Sequence, residues 1–302
     1  MREMHMPPYN TQSEGNPKPS PGELAALACL MEATAPKPGN VHRGADFEDA
    51  TYFDFAVSAL SIARAIDETA GEGLGRTLLV AVEATQSRVA TNTNLGTLLL
   101  IVPLTLVPPG QKLPAGIGEV LGALTPADTH LVYEAILRAK PGGLGRVEQA
   151  DVNESPPDDL IAAMRLAASR DLVARQYANG FADLLDFAVP ALADNLEQDW
   201  SPADAIVRLH LQLMAEYPDS LVARKCGAEL AEQSARMAAE ALAGGRPGEQ
   251  AYERLVRDLD FWLRCDHHRR NPGTTADMVA ASLFVALREE LLTPPYRMYH
   301  AS

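Results

Sequence analysis

The sequence predicts an all-α fold, a globular bundle of about ten to twelve helices, from apolar residues recurring at three- and four-residue intervals. Two further observations agree. Ala and Leu dominate an apolar share of 47% while aromatics reach only 6%, and capping signatures recur along the chain where strand-like alternation does not.

The first helix opens at Ser20-Pro21-Gly22-Glu23, with Ser as cap, Pro at the first helical position and Glu completing a capping box; it stops at Pro36. Phe53, Ala56, Val57, Leu60, Ala63 and Ile66 then line one face of a helix over Glu48 to Asp67. The uncharged run from Thr91 reads as a buried core helix, Leu95 to Val102, followed by a proline-rich loop. Downstream, Thr125-Pro-Ala-Asp128 opens a helix, Asn179-Gly180 closes one and Ser201-Pro-Ala-Asp204 opens the next. Leu221 to Leu242 and Ala251 to Arg264 read as long helices separated by Gly244-Gly245-Arg246-Pro247. Thr274-Thr-Ala-Asp277 caps a last helix running toward Leu292. No repeat of fixed period appears, so a bundle is favoured over a solenoid.

Composition narrows the function classes. The net charge of −14 argues against broad nucleic-acid binding, which needs a basic surface. Any polyphosphate must therefore meet a local cluster of cations. Three scattered cysteines suit neither a disulfide framework nor a zinc site, and a reducing cytoplasm is the simplest home. Met1 to Gly22 lacks an apolar signal core and reads as a mobile tail before one helical domain, 23–302. Prolines 103, 108 and 109 leave the longest uncharged run too short to span a bilayer.

Four segments join Gly or Pro to polar groups in a way that a bundle does not require. The first, Ala35 to Gly44, packs Lys37, His42 and Arg43 beside Gly39 and Asn40, with rigid amides suited to phosphate oxygens. A tight interhelical turn with solvated charges explains it equally well. In the second, Asn92, Thr93, Asn94 and Gly96 could grip a ribose or a base edge, or Thr93 and Asn94 could simply cap the next helix. The third sets Asp219 and Ser220 beside Arg224 and Lys225, a metal–triphosphate set, or a helix cap with two solvated cations. The fourth, Asn271-Pro272-Gly273-Thr274-Thr275-Ala276-Asp277, feeds a helix N-terminus able to hold an anion. A capping box would explain Asp277 without chemistry. Cys265-Asp266-His267-His268 reads as a polar helix end, and the two Gly-rich stretches at 71–75 and 142–145 as connectors.

Pro36-Lys-Pro-Gly-Asn-Val-His-Arg43, preceded by Glu32, resembles the P-K-P-G-x-V-x-R signature of triphosphoribosyl-dephospho-CoA synthases. Asn92 to Gly96 sits where that family carries N-T-H-K-G, Asp219 to Arg224 where it carries D-T-N-x-x-x-R, and Asn271 to Asp277 where it carries S-P-G-G-S-A-D. Four ordered matches across Glu23 to Leu292 are far more specific than any one. The resemblance implies an all-α transferase that moves the triphosphoribosyl group of ATP onto 3′-dephospho-CoA or a related nucleotide-like acceptor, releasing adenine. Asn94, Leu95 and Leu221 depart from the family pattern, and the loss of a lysine there leaves the acceptor open.

What the resemblance implies for the site follows. Asp219 or Asp277 serves as base or Mg²⁺ ligand with Glu32 in support; Lys37, Arg43, Arg224 and Lys225 hold triphosphate oxygens; Asn92 and Asn94 place ribose or base. Gly39, Asn40, His42, Thr93, Gly96, Ser220, Asn271, Gly273 and Thr274 complete the expected binding set. Partners are small nucleotides, with no nucleic acid and no membrane; a homo-oligomer stays open. The rivals are a nucleotide kinase, a metal-dependent phosphohydrolase or an inactive nucleotide-binding protein. The absence of a His-Asp dipeptide weakens the phosphohydrolase. The four loops are expected to converge at one end of the bundle.

Overall fold

The structure is a computed structural model and describes residues 18–89, 91, 93–139 and 157–299. Among these residues stand fourteen α-helices, one π-helical segment and no strand. Helix α1 (Pro21–Thr34) carries the predicted capping box, Ser20 with Glu23. Ser20 is thus already ordered into the domain, and Lys18 pairs with Glu290; the remainder of the predicted tail lies outside the described residues.

Helix α2 (Tyr52–Glu68) starts later than its periodicity suggests because Thr51 and Asp54 form a capping box and Asp46 accepts from Tyr52 N–H. Helices α3 (Leu74–Gln86), α4 (Leu95–Thr105), α5 (Leu113–Gly122) and α6 (Pro126–Ala139) follow. The short α7 (Leu160–Ala167) and α8 (Leu172–Asn179) lead to the π segment Asp183–Ala188, which runs into α9 (Val189–Leu196). These short elements take the number of helices past the predicted ten to twelve. Helix α10 (Pro202–Glu216) starts at Ser201 as predicted.

The long helix predicted over Leu221 to Leu242 is two, α11 (Ser220–Cys226) and α12 (Ala228–Ala243). Gly227 separates them at φ 98°, a backbone state that no helix contains and that glycine adopts freely. Helices α13 (Gln250–Arg264) and α14 (Gly273–Arg288) complete the fold. The Cys265 to His268 stretch is a turn in which His267 and His268 both take positive φ. His268 stacks on Phe47 at 4.2 Å.

Helices α4 and α14 are apolar on nearly every face, the mark of central helices. They pack on each other, and α1 packs on α14 and α2. Their residues join one core running from Ala25 to Leu287. A second core lies between α10, α12 and α13, and α10 faces both. No helix among the described residues is long and apolar enough to cross a membrane.

Candidate active site

The four segments meet around the N-terminal half of α14. Loop one touches loop four where Asn40 Nδ2 donates to Asn271 Oδ1 at 2.8 Å. A side chain at Gly39 would collide with Leu263 and Pro272, and φ there is 74°. Gly39 N–H donates to Asp260 at 2.8 Å, and Arg264 joins Asp260 to the carbonyl of Asn40, so α13 pins the loop as well. Loop three joins loop four through Thr275, whose N–H and hydroxyl both donate to Asp219 at 2.8 Å, and through Ser220 to Thr274 at 3.0 Å. Loop two joins loop four where Thr97 Oγ1 donates to Asp277 Oδ1 at 2.6 Å. The other oxygen of Asp277 lies against Gly96, where any side chain would collide with it.

Two of the capping explanations fail. Helix α14 begins at Gly273 with Pro272 as its cap residue and no side-chain cap, and Asp277 bonds Thr97 of another helix instead of turning back to Thr274. Asn94 occupies the cap position of α4 but makes no capping bond, and Thr93 bonds Ser58 at 2.6 Å. The third capping explanation holds. Asp219 caps α11 through Leu221 N–H and Val222 N–H, and with Thr275 its two oxygens accept four hydrogen bonds. Four bonds fill the lone pairs of a carboxylate, so the expectation of Asp219 as base or metal ligand gives way to a structural clamp between α11 and α14.

Lys37 also departs from expectation. Its ammonium is wholly buried and its three N–H groups face three acceptors: Glu32 Oε1 at 2.8 Å, the carbonyl of Glu32, and the carbonyl of Ala35 at 3.4 Å. Lysine has three donors, so none is left for phosphate. Behind the loop, the wholly buried His210 bonds the carbonyl of Pro38 at 3.2 Å, and burial pushes its imidazole down to about 3.

The remaining cations spread around the site. Arg43 is exposed, with its guanidinium 4.6 Å from the ring centre of Tyr299. His42 is half-buried, and burial with the nearby Arg264 and Lys37 holds its imidazole below the ordinary value. Arg224 pairs with Asp171, the cap of α8, while Ser220 on the same face accepts from Leu172 N–H at 3.3 Å. Lys225 is half-buried on α11. Asn92 lies outside the described residues.

The carboxylates at the centre are Glu32 of α1 and Asp277 of α14. Burial pushes Asp277 up to about 8, the hydrogen bond from Thr97 opposes that, and the charges of Glu32, Asp219 and Asp171 add to it. Asp277 nevertheless keeps part of its surface open. Six buried polar atoms lack a partner among the described residues, and three lie in these loops: Asn40 Oδ1, Asn94 Nδ2 and Arg224 Nε. Buried polar atoms are normally satisfied, so three orphans beside a partly open carboxyl mark a place for a polar ligand.

The family model CitG, described as ATP:dephospho-CoA triphosphoribosyl transferase, matches residues 18–295. The chain belongs to that family. It is therefore a transferase of the triphosphoribosyl-dephospho-CoA synthase kind, moving a triphosphoribosyl group from ATP to dephospho-CoA. A solved structure from Archaeoglobus fulgidus, assigned as a triphosphoribosyl-dephospho-CoA synthase, is similar to this chain with a TM-score of 0.61 and 25% identity. The likeness covers 80% of this chain and 99% of the other. Comparison with curated proteins gives no match.

Sequence reasoning missed several residues that hold these segments in place. Thr97 hid inside an apolar helix, Asp171 and Asp260 sit far from any motif, and Arg88, exposed and 3.1 Å from Ser61 of α2, reaches the neighbourhood of loop two. Spacing alone offered one clue, since Thr97 falls on the first turn after Asn94.

Proposed function

We propose that triphosphoribosyl transfer takes place where α1, α4 and α14 meet, beside Asp277. The observation that carries this is the Thr97–Asp277 bond, which holds a partly open carboxyl among four segments far apart in sequence. Transfer breaks the bond between ribose C1′ and adenine N9 while positive charge grows on the ribose, as in glycoside cleavage. A carboxyl group beside C1′ can manage both that charge and a proton.

ATP enters as substrate. Asn40 Oδ1 and Asn94 Nδ2, an acceptor and a donor without partners among the described residues, suit ribose hydroxyls or the adenine edge. Among the described residues, Arg43, Lys225 and the Nε of Arg224 are side-chain groups left to meet phosphate oxygens, whereas the N–H groups of Gly39 and Asn40 are spent on Asp260 and the carbonyl of Lys37. The acceptor is dephospho-CoA or a related molecule. Leu95, which stands where the family carries lysine, is buried, and Leu221 packs against Gly273, so two departures from the family pattern are absorbed into packing.

The family's chemistry implies Mg²⁺, and the residues present do not form a resident site for it. Among the described residues no group of three or more His, Cys, Asp or Glu could hold a metal ion. Asp219 is saturated by four hydrogen bonds, and one oxygen of Asp277 is taken by Thr97. No step is assigned to the ion.

The test is Asp277→Asn assayed for adenine release from ATP with dephospho-CoA. We expect a loss of ~10²–10⁴-fold, the usual size of an acid–base contribution, with the thermal midpoint close to the parent's. Adenine release at the parental rate would remove Asp277 from the chemistry.

A further inference from the structure

We propose that Asp171 is a positioning residue for the triphosphate of ATP: it holds Arg224 by one arm and leaves the opposite edge of that guanidinium to the phosphate oxygens. This rests on the site proposed above and deepens it by assigning the triphosphate to the junction of α8 and α11, away from Lys37.

Arg224 lies one turn after Ser220 on the short helix α11. That helix is locked to the start of α14, by Thr275 donating to Asp219 at 2.8 Å and Ser220 to Thr274 at 3.0 Å. Asp277 follows on α14, near enough for the charge of Asp171 to bear on it. The Asp171–Arg224 pair thus borders the proposed site of transfer.

A guanidinium is a rigid plane with five N–H donors. The acceptor that Arg224 meets among the described residues is Asp171 Oδ2, which takes Nη1. Its Nε is buried without a partner, while the side chain as a whole keeps 26% of its surface. Nη1 sits across the group from the edge formed by Nε and Nη2, whose two parallel N–H bonds match two oxygens of a phosphate. Contact with Asp171 therefore leaves the phosphate-recognising edge whole. Arg264, the half-buried arginine of α13, has lost that edge, since its Nε donates to Asp260 at 2.8 Å and its Nη2 to the carbonyl of Asn40.

Asp171 is itself fixed. Its Oδ1 accepts from Val173 N–H at 2.9 Å and Ala174 N–H at 3.1 Å as the cap of α8. Beside it, Leu172 N–H donates to Ser220 at 3.3 Å, which sets the spacing of α8 and α11 next to the pair. A long, flexible side chain is thereby ordered before ligand arrives, and less entropy is lost on binding.

The triphosphate travels with the ribose, and its charge does not change as the bond between C1′ and adenine N9 breaks. Contacts to it are equally strong before and during the transfer, and such uniform binding is read in KM and not in kcat.

The experiment compares the parent with Asp171→Asn, Arg224→Ala and the double variant. It measures kcat and KM for ATP in adenine release, calorimetric binding of inorganic tripolyphosphate, and the thermal midpoint. Asparagine still caps α8 but turns an amide donor toward Nη1. Asp171→Asn should raise KM and weaken tripolyphosphate binding ~5–20-fold, with kcat within about threefold and the midpoint within about 2 °C of the parent's. Arg224→Ala should change KM and tripolyphosphate binding ~10–100-fold, the range for a hydrogen bond to a charged group. The double variant should match Arg224→Ala, because Asp171 then has nothing to position. Equal penalties from Asp171→Asn with and without Arg224 would overturn the proposal. A lowered midpoint with KM and tripolyphosphate binding unchanged would leave Asp171 a helix cap and overturn it too, as would parental tripolyphosphate binding in Arg224→Ala. If Asp171→Asn does not fold, Asp171→Ser, which keeps a capping oxygen without the second one, takes its place. Parental adenine release in Asp277→Asn would instead sink the transfer site, and tripolyphosphate binding is read without turnover, so the two failures stay apart.

Discussion

Asp219 and Asp277 stand in similar sequence surroundings, each a carboxylate shortly after a proline and close to a helix start, and the difference between them lies in what each oxygen touches. Asp219 satisfies four donors from two helices. Asp219→Asn keeps the oxygen that bonds Leu221 and Val222 but turns an amide NH₂ toward the Thr275 N–H. A buried donor is then left facing a donor, at about 1–3 kcal/mol. The thermal midpoint should fall by about 2–10 °C, and activity should follow the folded fraction; an unchanged midpoint with lost turnover would restore Asp219 to the chemistry. For Asp277 the sign of pH linkage is opposite to that of a salt-bridged carboxylate. Its folded value of about 8 lies above the ordinary 3.8, so between these values the folded state binds the extra proton and stability falls as pH rises. Asp277→Asn should flatten that fall, read as urea midpoints at pH 5 and pH 9; equal slopes in parent and variant would show that Asp277 is ionised throughout. None of this was visible in the sequence, because capping and catalysis call for the same residue types and only the partner distinguishes them.

At the scale of elements, the starts of helices were legible and their partners were not. Ser20, Thr125 and Ser201 open helices as local chemistry predicts. Gly227 breaks a continuous apolar pattern because its φ of 98° is a backbone choice that side-chain periodicity does not record. The start of α4 is the most informative case. Asn94 looks like a cap yet makes no capping bond, and the polar group beside the open first turn comes from α14. Gly96 is what lets the two helices come that close. Gly96→Ala would drive a methyl into Asp277 Oδ2, so either α4 moves off α14 or the carboxyl swings away from Thr97. Misplacement of about 1 Å in a catalytic group can cost ~10²-fold in rate, and a loss of that size is expected. Thr97→Ser should retain most of the adenine release because it keeps the hydroxyl, whereas Thr97→Val should resemble Gly96→Ala. Equal activity in the serine and valine variants would show that the hydrogen bond does not matter.

For the whole molecule, the sequence supports one domain, and the packing gives a physical reason to expect one cooperative unit in spite of two apolar cores. Helix α10 contributes Ile206, Leu209 and Leu213 to the large core and Val207, Leu211 and Met214 to the small one, so the two share an element and not merely a linker. The site reinforces that sharing. Gly39 N–H reaches Asp260 on α13, Arg264 on α13 reaches the carbonyl of Asn40, and His210 on α10 holds Pro38. The first loop of the large core is thereby tied to two of the three helices of the small one, α10 and α13. Unfolding α12 and α13 alone would expose the inner face of α10 and release loop one, with its Lys37–Glu32 pair, at the same moment. We therefore expect scanning calorimetry to give a single endotherm whose calorimetric and van't Hoff enthalpies agree. Asp260→Ala should lower its midpoint without splitting it, since α10 still bridges the cores. Two resolved transitions in the parent would mean that the α12–α13 layer folds separately, and would divide the chain at α10 into two domains where one is proposed.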